Sequence, residues 1–245
     1  MSADELTQPA GPHVDPIAIL CHGEVEVIGR MPYSSNATFL VTVRDGDDEA
    51  RAIYKPHRGE RPLWDFPSGL YQREVAAFRL SEALGFQVVP PTVLRQDGPL
   101  GIGSLQWFVE ADFQQHYFTM HETLPETHDQ LRAIAVFDLL ANNTDRKSGH
   151  CLLTADGRVW AIDNGLCFAA DFKLRTVIWE FGGDVMRSDE VEPVARLVET
   201  GLPVEVSVLL DPFERDAVMA RARAVVAEAR FPVDGTGRRY PWPLV

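Results

Sequence analysis

Asp145, His150 and Asp163 lie within one stretch, "NNTDRKSGHCLLTADGRVWAIDNGLCF", covering residues 142–168. Carboxylates and an imidazole are ligands for a divalent cation, and a carboxylate is also a base for a hydroxyl. Asp156-Gly157 reads as a two-residue turn between short strands. That turn would place Leu153 opposite Trp160, Cys151 opposite Ile162 and His150 opposite Asp163. Directly opposed residues project from one face with Cβ atoms roughly 4.5 to 5.5 Å apart, so His150 and Asp163 could ligate one ion. Asp145 precedes the hairpin, where its loop can fold back over that ion.

The elements that must hold this hairpin are legible on both sides. "GEVEVIGRM", "ATFLVTV" and "ARAIYKP" are short β-rich runs separated by "PYSSN" and "RDGDDE", the pattern of a three-stranded antiparallel meander. A Pro-rich loop, "PHRGERPLWDFPSG", leads into a helix in which Leu70, Glu74, Ala77, Ser81 and Leu84 share a face and Gly85 marks the end. "TVLRQ" and "GSLQWFVE" read as two more strands around "DGPLG". Beyond about Glu110 the pattern turns helical. "HDQLRAIAVFDLLAN" is amphipathic with Asp138 among apolar neighbours, and Asp211, Pro212 and Glu214 carry the signature of a capped helix start. The closing "DGTGRRYPWPLV" reads as a tail that packs by Tyr240 and Trp242.

At 245 residues, 45% of them apolar, the chain can bury a sizeable core. The net charge of -13 repels phosphate backbones and argues against general nucleic-acid binding. Cys21, Cys151 and Cys167 form no disulfide framework or C-x-x-C pair, which fits a reducing cytoplasm. No apolar run is long enough for a transmembrane segment. Residues 1–16 are acidic and Pro-rich and read as a flexible leader. The histidines His116, His121 and His128 match no compact zinc spacing.

Asp145-Arg146, a further residue at plus five, a hairpin and Asp163-Asn164-Gly165 together resemble the catalytic loop and metal-binding turn of the protein-kinase-like superfamily. By motif the resemblance is nearest to phosphatidylinositol 3- and 4-kinases and to HipA-like kinases, whose metal turn may read Ile-Asp-Asn-Gly-Leu as in "IDNGL" here. The resemblance implies a two-lobed α+β fold: a β-rich N-lobe over residues 17–110 with one main helix, and a mostly helical C-lobe over 111–245, forming one catalytic unit. It also implies that Lys55 holds the nucleotide phosphates and pairs with Glu74, and that Ser34, Ser35 and Asn36 occupy the phosphate-covering loop. "LQWFVE" would line the adenine pocket. Asp145 would orient the acceptor, with Asp163 and His150 holding Mg²⁺ or Mn²⁺.

The expected activity is transfer of the γ-phosphoryl of ATP to a hydroxyl of a lipid, protein or small molecule. The chain departs from the family pattern in two places: His150 stands where an asparagine is expected, and residues 34–38 contain no glycine. Two alternatives follow, a nucleotide-binding module without turnover and AMP transfer from a reversed nucleotide. Arg146 is expected to orient its loop. Lys173 and Arg175 fall where family members hold an activation or substrate segment, though a solvated face is the plainer reading.

Overall fold

The computed structural model describes residues 15–32, 34 and 36–244. It opens with helix α1, Pro16–His22, ahead of the expected meander. The Asp15 carboxylate accepts the Ile17 amide at 2.9 Å, and Pro16 takes the first helical position. Asp15 and Pro16 thus belong to a helix and not to a leader; residues 1–14 lie outside the described residues.

Strands β1, Glu24–Arg30, β2, Phe39–Asp45, and β3, Asp48–Pro56, pair antiparallel. The later strands β4, Thr92–Arg95, and β5, Gly103–Trp107, extend the sheet to the order β1-β2-β3-β5-β4. The two-residue period sorts the faces. Ala50, Ala52 and Tyr54 of β3 bury against Ile19 and Leu20 of α1, with Val41, Val43 and Leu105. Arg51, Ile53 and Lys55 point the other way, toward the rest of the chain.

Helix α2, Leu70–Leu84, buries Leu70, Glu74, Ala77, Ser81 and Leu84 as its spacing requires, and Gly85 caps it. Its Ala76, Phe78 and Leu80 enter a larger core built with α3, Tyr117–Thr123, α4, His128–Ala141, α5, Ser188–Thr200, α6, Val204–Ser207, and α7, Pro212–Glu228. The cap of α7 is reciprocal: the Glu214 amide donates to Asp211 at 2.9 Å, and the Asp211 amide donates to Glu214 at 3.0 Å. Glu214 also pairs with buried Arg73, tying the last helix to the one that carries Glu74.

The hairpin consists of β6, Cys151–Leu153, and β7, Val159–Ala161, and its register corrects the sequence expectation. Cys151 pairs with Ala161, Leu152 with Trp160 and Leu153 with Val159. The turn is the cause. The Thr154 amide donates to the Arg158 carbonyl at 2.9 Å, and Gly157, at φ 82°, closes a loop of residues 155–157 instead of a two-residue turn. His150 therefore faces Ile162, whose amide donates to its carbonyl at 2.9 Å.

The tail also differs. Trp242 is 88% exposed, and the tail is held instead by buried Pro241 and by backbone bonds from Thr176 to the Arg239 carbonyl and from Ser148 to the Leu244 carbonyl. Among the described residues no helix is long and apolar enough to cross a membrane.

Candidate active site

A cleft of about 390 Å³ opens between the sheet and the hairpin. Lys55 and Glu74 line its upper wall, and Asp145, His150 and Asp163 its lower one. Five residues singled out from the sequence, spread over more than a hundred positions, meet here.

Lys55 leaves the cleft-facing side of β3, and its ammonium contacts the Glu74 carboxylate and, at 2.8 Å, that of Asp163. Burial would loosen the lysine's proton, but the charges of Asp163 and Glu74 outweigh it and raise the pKa above its ordinary value. The Lys55 ammonium in turn holds Asp163 below the ordinary carboxylate range. The second oxygen of Glu74 accepts the Asn164 amide at 3.0 Å. The acid of α2 thus clasps both the lysine and the Asp-Asn-Gly turn.

His150 reaches Asp163 although the register does not oppose them. Asp163, at φ 58°, bends the chain after β7, and its Oδ2 comes to 3.5 Å from His150 Nε2. His150 Nδ1 lies 3.0 Å from the Asp145 carbonyl and 3.4 Å from the Lys147 amide; the tautomer that donates to the nearer carbonyl turns the Nε2 lone pair toward the carboxylate. In that tautomer the imidazole nitrogen and the carboxylate are two acceptors that a shared cation would satisfy. Burial lowers the His150 pKa to about 4 against the pull of Asp163, so the imidazole is in the neutral form that binds metal. The donor set therefore fits a divalent ion. Among the described residues no three His, Cys, Asp or Glu side chains form a closed cage, so such an ion would complete its shell with phosphate oxygens and water.

Asp145 sits on the loop between α4 and β6, its amide donating to Asn143 Oδ1 at 2.9 Å. Burial raises its carboxyl pKa, opposed first by Lys147, whose ammonium is 3.3 Å away. A carboxylate shifted upward is a better proton acceptor for a hydroxyl. Lys147 lines the same cleft and was not singled out from the sequence. A signal was available: the chain has only three lysines, Lys55, Lys147 and Lys173, among 23 lysines and arginines. The third, Lys173, is half-buried and donates to the Asp65 carbonyl at 3.0 Å.

Beneath the loop lies a buried polar cluster. Arg146 is wholly buried and grips Asp138 through Nε and Nη2 at 3.0 and 2.9 Å, the Ile162 carbonyl at 2.6 Å and Asn164 Oδ1 at 2.7 Å. Asn143 Nδ2 adds a bond to Asp138 at 3.1 Å. Arg146 orients its loop as expected, and Asp138 is its buried charge partner. One guanidinium links α4, the Asp145 loop and the Asp163 turn.

Ser34 and Asn36 also line the cleft, but Ser34 Oγ donates to Thr38 at 2.9 Å and Asn36 Oδ1 accepts the Arg61 amide at 3.0 Å. Ser35 lies outside the described residues. Residues 105–110 do not line this cleft. Trp107, Phe108, Val109 and Glu110 border a neighbouring concavity of about 550 Å³ with Arg51 and Trp160.

No family model matches the chain. Phosphatidylinositol 4-kinase gamma 4 of Oryza sativa subsp. japonica is 31% identical over 130 residues, which is 44% of this chain and 22% of that kinase, so the likeness spans less than a quarter of its length. The solved structure of hydra Fam20 with sugar aligns with a TM-score of 0.57 at 14% identity, covering 87% of each chain, and the shared fold is protein-kinase-like. Protein Rv2133c of Mycobacterium tuberculosis is 36% identical over 265 aligned positions, 94% of this chain and 95% of that one. With near-complete coverage of both sequences at that identity, this chain belongs to the family of protein Rv2133c.

Proposed function

We propose that the chain is an ATP-dependent phosphotransferase that moves the γ-phosphoryl group to a hydroxyl. The observation that carries this reading is the double contact of Lys55, which joins Glu74 of α2 to Asp163 of the turn after β7. Phosphoryl transfer needs little covalent help; it needs cations placed at the phosphates and a carboxylate placed at the nucleophile. Lys55, steadied by Glu74, would hold the α- and β-phosphates. Lys147 would add a second cation near the transferring group. Asp145 would orient the acceptor hydroxyl and take its proton. A divalent ion, Mg²⁺ or Mn²⁺, held by Asp163 and His150, would neutralise charge on the phosphates. Arg146 would keep the two acidic loops in register.

The kinship we favour is with phosphatidylinositol 3- and 4-kinases, on the Asp-Arg and Ile-Asp-Asn-Gly-Leu motifs and on the partial likeness to the rice kinase. The likeness to HipA-like kinases is one of motif. The acceptor is a lipid, a protein or a small molecule, and the setting proposed is the cytoplasm, in keeping with three free cysteines.

The test is incubation with ATP labelled at the γ or the α position, offered with phosphatidylinositol vesicles, a sugar mixture and a cell lysate in turn. Transfer of γ label alone is the expected result. Transfer of α label would mean AMP donation, and tight ATP binding without either transfer would mean a binding module.

A further inference from the structure

The cleft holds a cation that neither the family resemblance nor the reading above uses. Arg61 belongs to the loop between β3 and α2 and lines the cleft with Lys55, Lys147 and His150. Lys55 is committed to Glu74 and Asp163, and Lys147 to Asp145. The adjacent acid, Glu60, is already satisfied by the amides of Gly69 and Tyr71, each at 2.9 Å, and by His57 Nδ1 at 3.2 Å. Among the described residues no carboxylate pairs with Arg61, and its side chain is exposed to the cleft. In a chain with 36 acidic side chains, an arginine kept beside reactive acids yet free of them is placed for an anion from outside.

The position along the cleft says which anion. β3 runs between two landmarks: Trp107, at the end of β5, pairs with Ala52, whereas the β1–β2 turn lies beyond Phe39, which pairs with Tyr54. The connection after β5 and the β1–β2 turn are therefore at opposite ends of the sheet, with Lys55 toward the turn. Arg61 is fixed at the turn end. Its amide donates to Asn36 Oδ1 at 3.0 Å, and the Ala37 amide donates to the Gly59 carbonyl at 2.9 Å. Gly59 permits this approach, since a Cβ there would stand 2.8 Å from that of Ala37. A nucleotide whose base lies toward the Trp107 end of β5, on the side of the neighbouring concavity, and whose inner phosphates meet Lys55 would extend its last phosphate toward Arg61. Asn36 and Ala37 are thus buttressed by a neighbouring loop that contributes a side-chain cation.

We infer that Arg61 binds the terminal phosphate of the nucleotide and makes the cleft selective for a nucleoside triphosphate over a diphosphate. This rests on the phosphotransferase reading of the same cleft. Its test needs no acceptor: calorimetric titration of wild type, Arg61→Ala and Arg61→Lys with ATP and with ADP, each in excess Mg²⁺ and again in excess Mn²⁺. Wild type is expected to bind ATP more tightly than ADP. Arg61→Ala should lose about tenfold or more in ATP affinity, as for a charge-assisted contact, with ADP affinity changed by less than about twofold. Arg61→Lys should keep part of the preference. An equal loss for both nucleotides would show that Arg61 acts only by shaping its loop, and no loss for either would remove it from the phosphate site; both overturn the inference. If wild type binds ADP and ATP equally, the selectivity is absent. If it binds neither, the nucleotide reading itself fails and this one with it.

Discussion

Lys55 donates to Asp163 across the cleft at 2.8 Å while its other contact, Glu74, accepts the amide of Asn164, next along the chain from Asp163. Sheet, helix α2 and the Asp-Asn-Gly turn are thereby joined through two side chains. Asp163 in this arrangement is neutralised by a lysine, and an incoming ion would share it or take Lys55's place. The same lysine can then turn to phosphate. The pair sets the cleft's charge before any ligand arrives.

Removing the lysine therefore has two effects. Lys55→Ala takes away a phosphate cation and leaves Glu74 and Asp163 without their shared partner. ATP affinity is expected to fall by roughly tenfold or more. Calorimetry reads this directly, and unchanged affinity would reduce Lys55 to a structural ion pair.

Asp145 should behave differently. Asp145→Asn keeps the size and the backbone bond to Asn143 but loses the proton acceptor, which acts only as the hydroxyl reacts. Label transfer from γ-labelled ATP should drop by about 10² to 10⁴-fold with ATP affinity nearly intact. Retained transfer in the folded variant would mean that another group orients the acceptor.

Much of this architecture was legible because it is local. The meander, α2 and α4 show in periodicity, and the start of α7 shows in Asp211, Pro212 and Glu214. Helix α1 was missed because seven residues hold too little period and Pro16 reads as the end of a leader. In α5, Pro193 interrupts what would otherwise read as a helix. The hairpin register failed on one residue of turn length, since Asp156-Gly157 has the composition of a two-residue turn and Gly157 serves a three-residue one. At the site, acids at motif spacing stood out and the scarcity of lysine marked Lys147, whereas Arg61 is an ordinary surface type until the fold brings it into the cleft. The Asp138 to Arg146 pair was hidden for a like reason: its two members are on different elements, and only packing shows that both are buried.

That pair should dominate the stability of the lower wall. Asp138 and Arg146 are 1% and 0% exposed, so Asp138→Asn strands a buried guanidinium. Urea unfolding is expected to show a loss of about 3 to 5 kcal/mol. The double variant Asp138→Leu with Arg146→Met should recover part of it, because no buried charge is then unpaired. A double variant as unstable as the sum of the Asp138→Leu and Arg146→Met single variants would argue against coupling.

Acid sensitivity should arise partly at Glu190, where α5 meets α4. Burial pushes its pKa up, but hydrogen bonds from Arg132, at 2.6 and 3.0 Å, and the Arg187 amide bring it below the ordinary value. The folded form thus binds this proton more weakly than the unfolded chain does, so the pair's stabilisation is present above the unfolded value of about 4.3 and fades as pH falls through the lower folded value. Glu190→Gln should cost about 1.5 to 3 kcal/mol near neutrality. The gap between wild type and variant should narrow below about pH 4, in unfolding curves taken across pH. A gap that stays constant down to low pH would mean that the carboxylate's charge does not matter there.

His150 should decide which metal the cleft prefers. Imidazole is a stronger ligand for Mn²⁺ than for Mg²⁺, which favours oxygen, and Nε2 of His150 lies 3.5 Å from Asp163 Oδ2. His150→Asn removes that nitrogen and offers instead an amide oxygen on a shorter side chain. The ratio of ATP affinity in Mn²⁺ to that in Mg²⁺ should therefore be higher for wild type than for His150→Asn. The measurement is best made near pH 7.5, well above the lowered pKa of about 4, so that the imidazole is neutral in every sample. Because Nδ1 is engaged by the Asp145 carbonyl, a change at His150 also loosens the loop of Asp145, and transfer rates would mix the two effects; affinity ratios separate them. Equal ratios in the two proteins would place His150 outside the ligand set and leave its contact with Asp163 as packing alone.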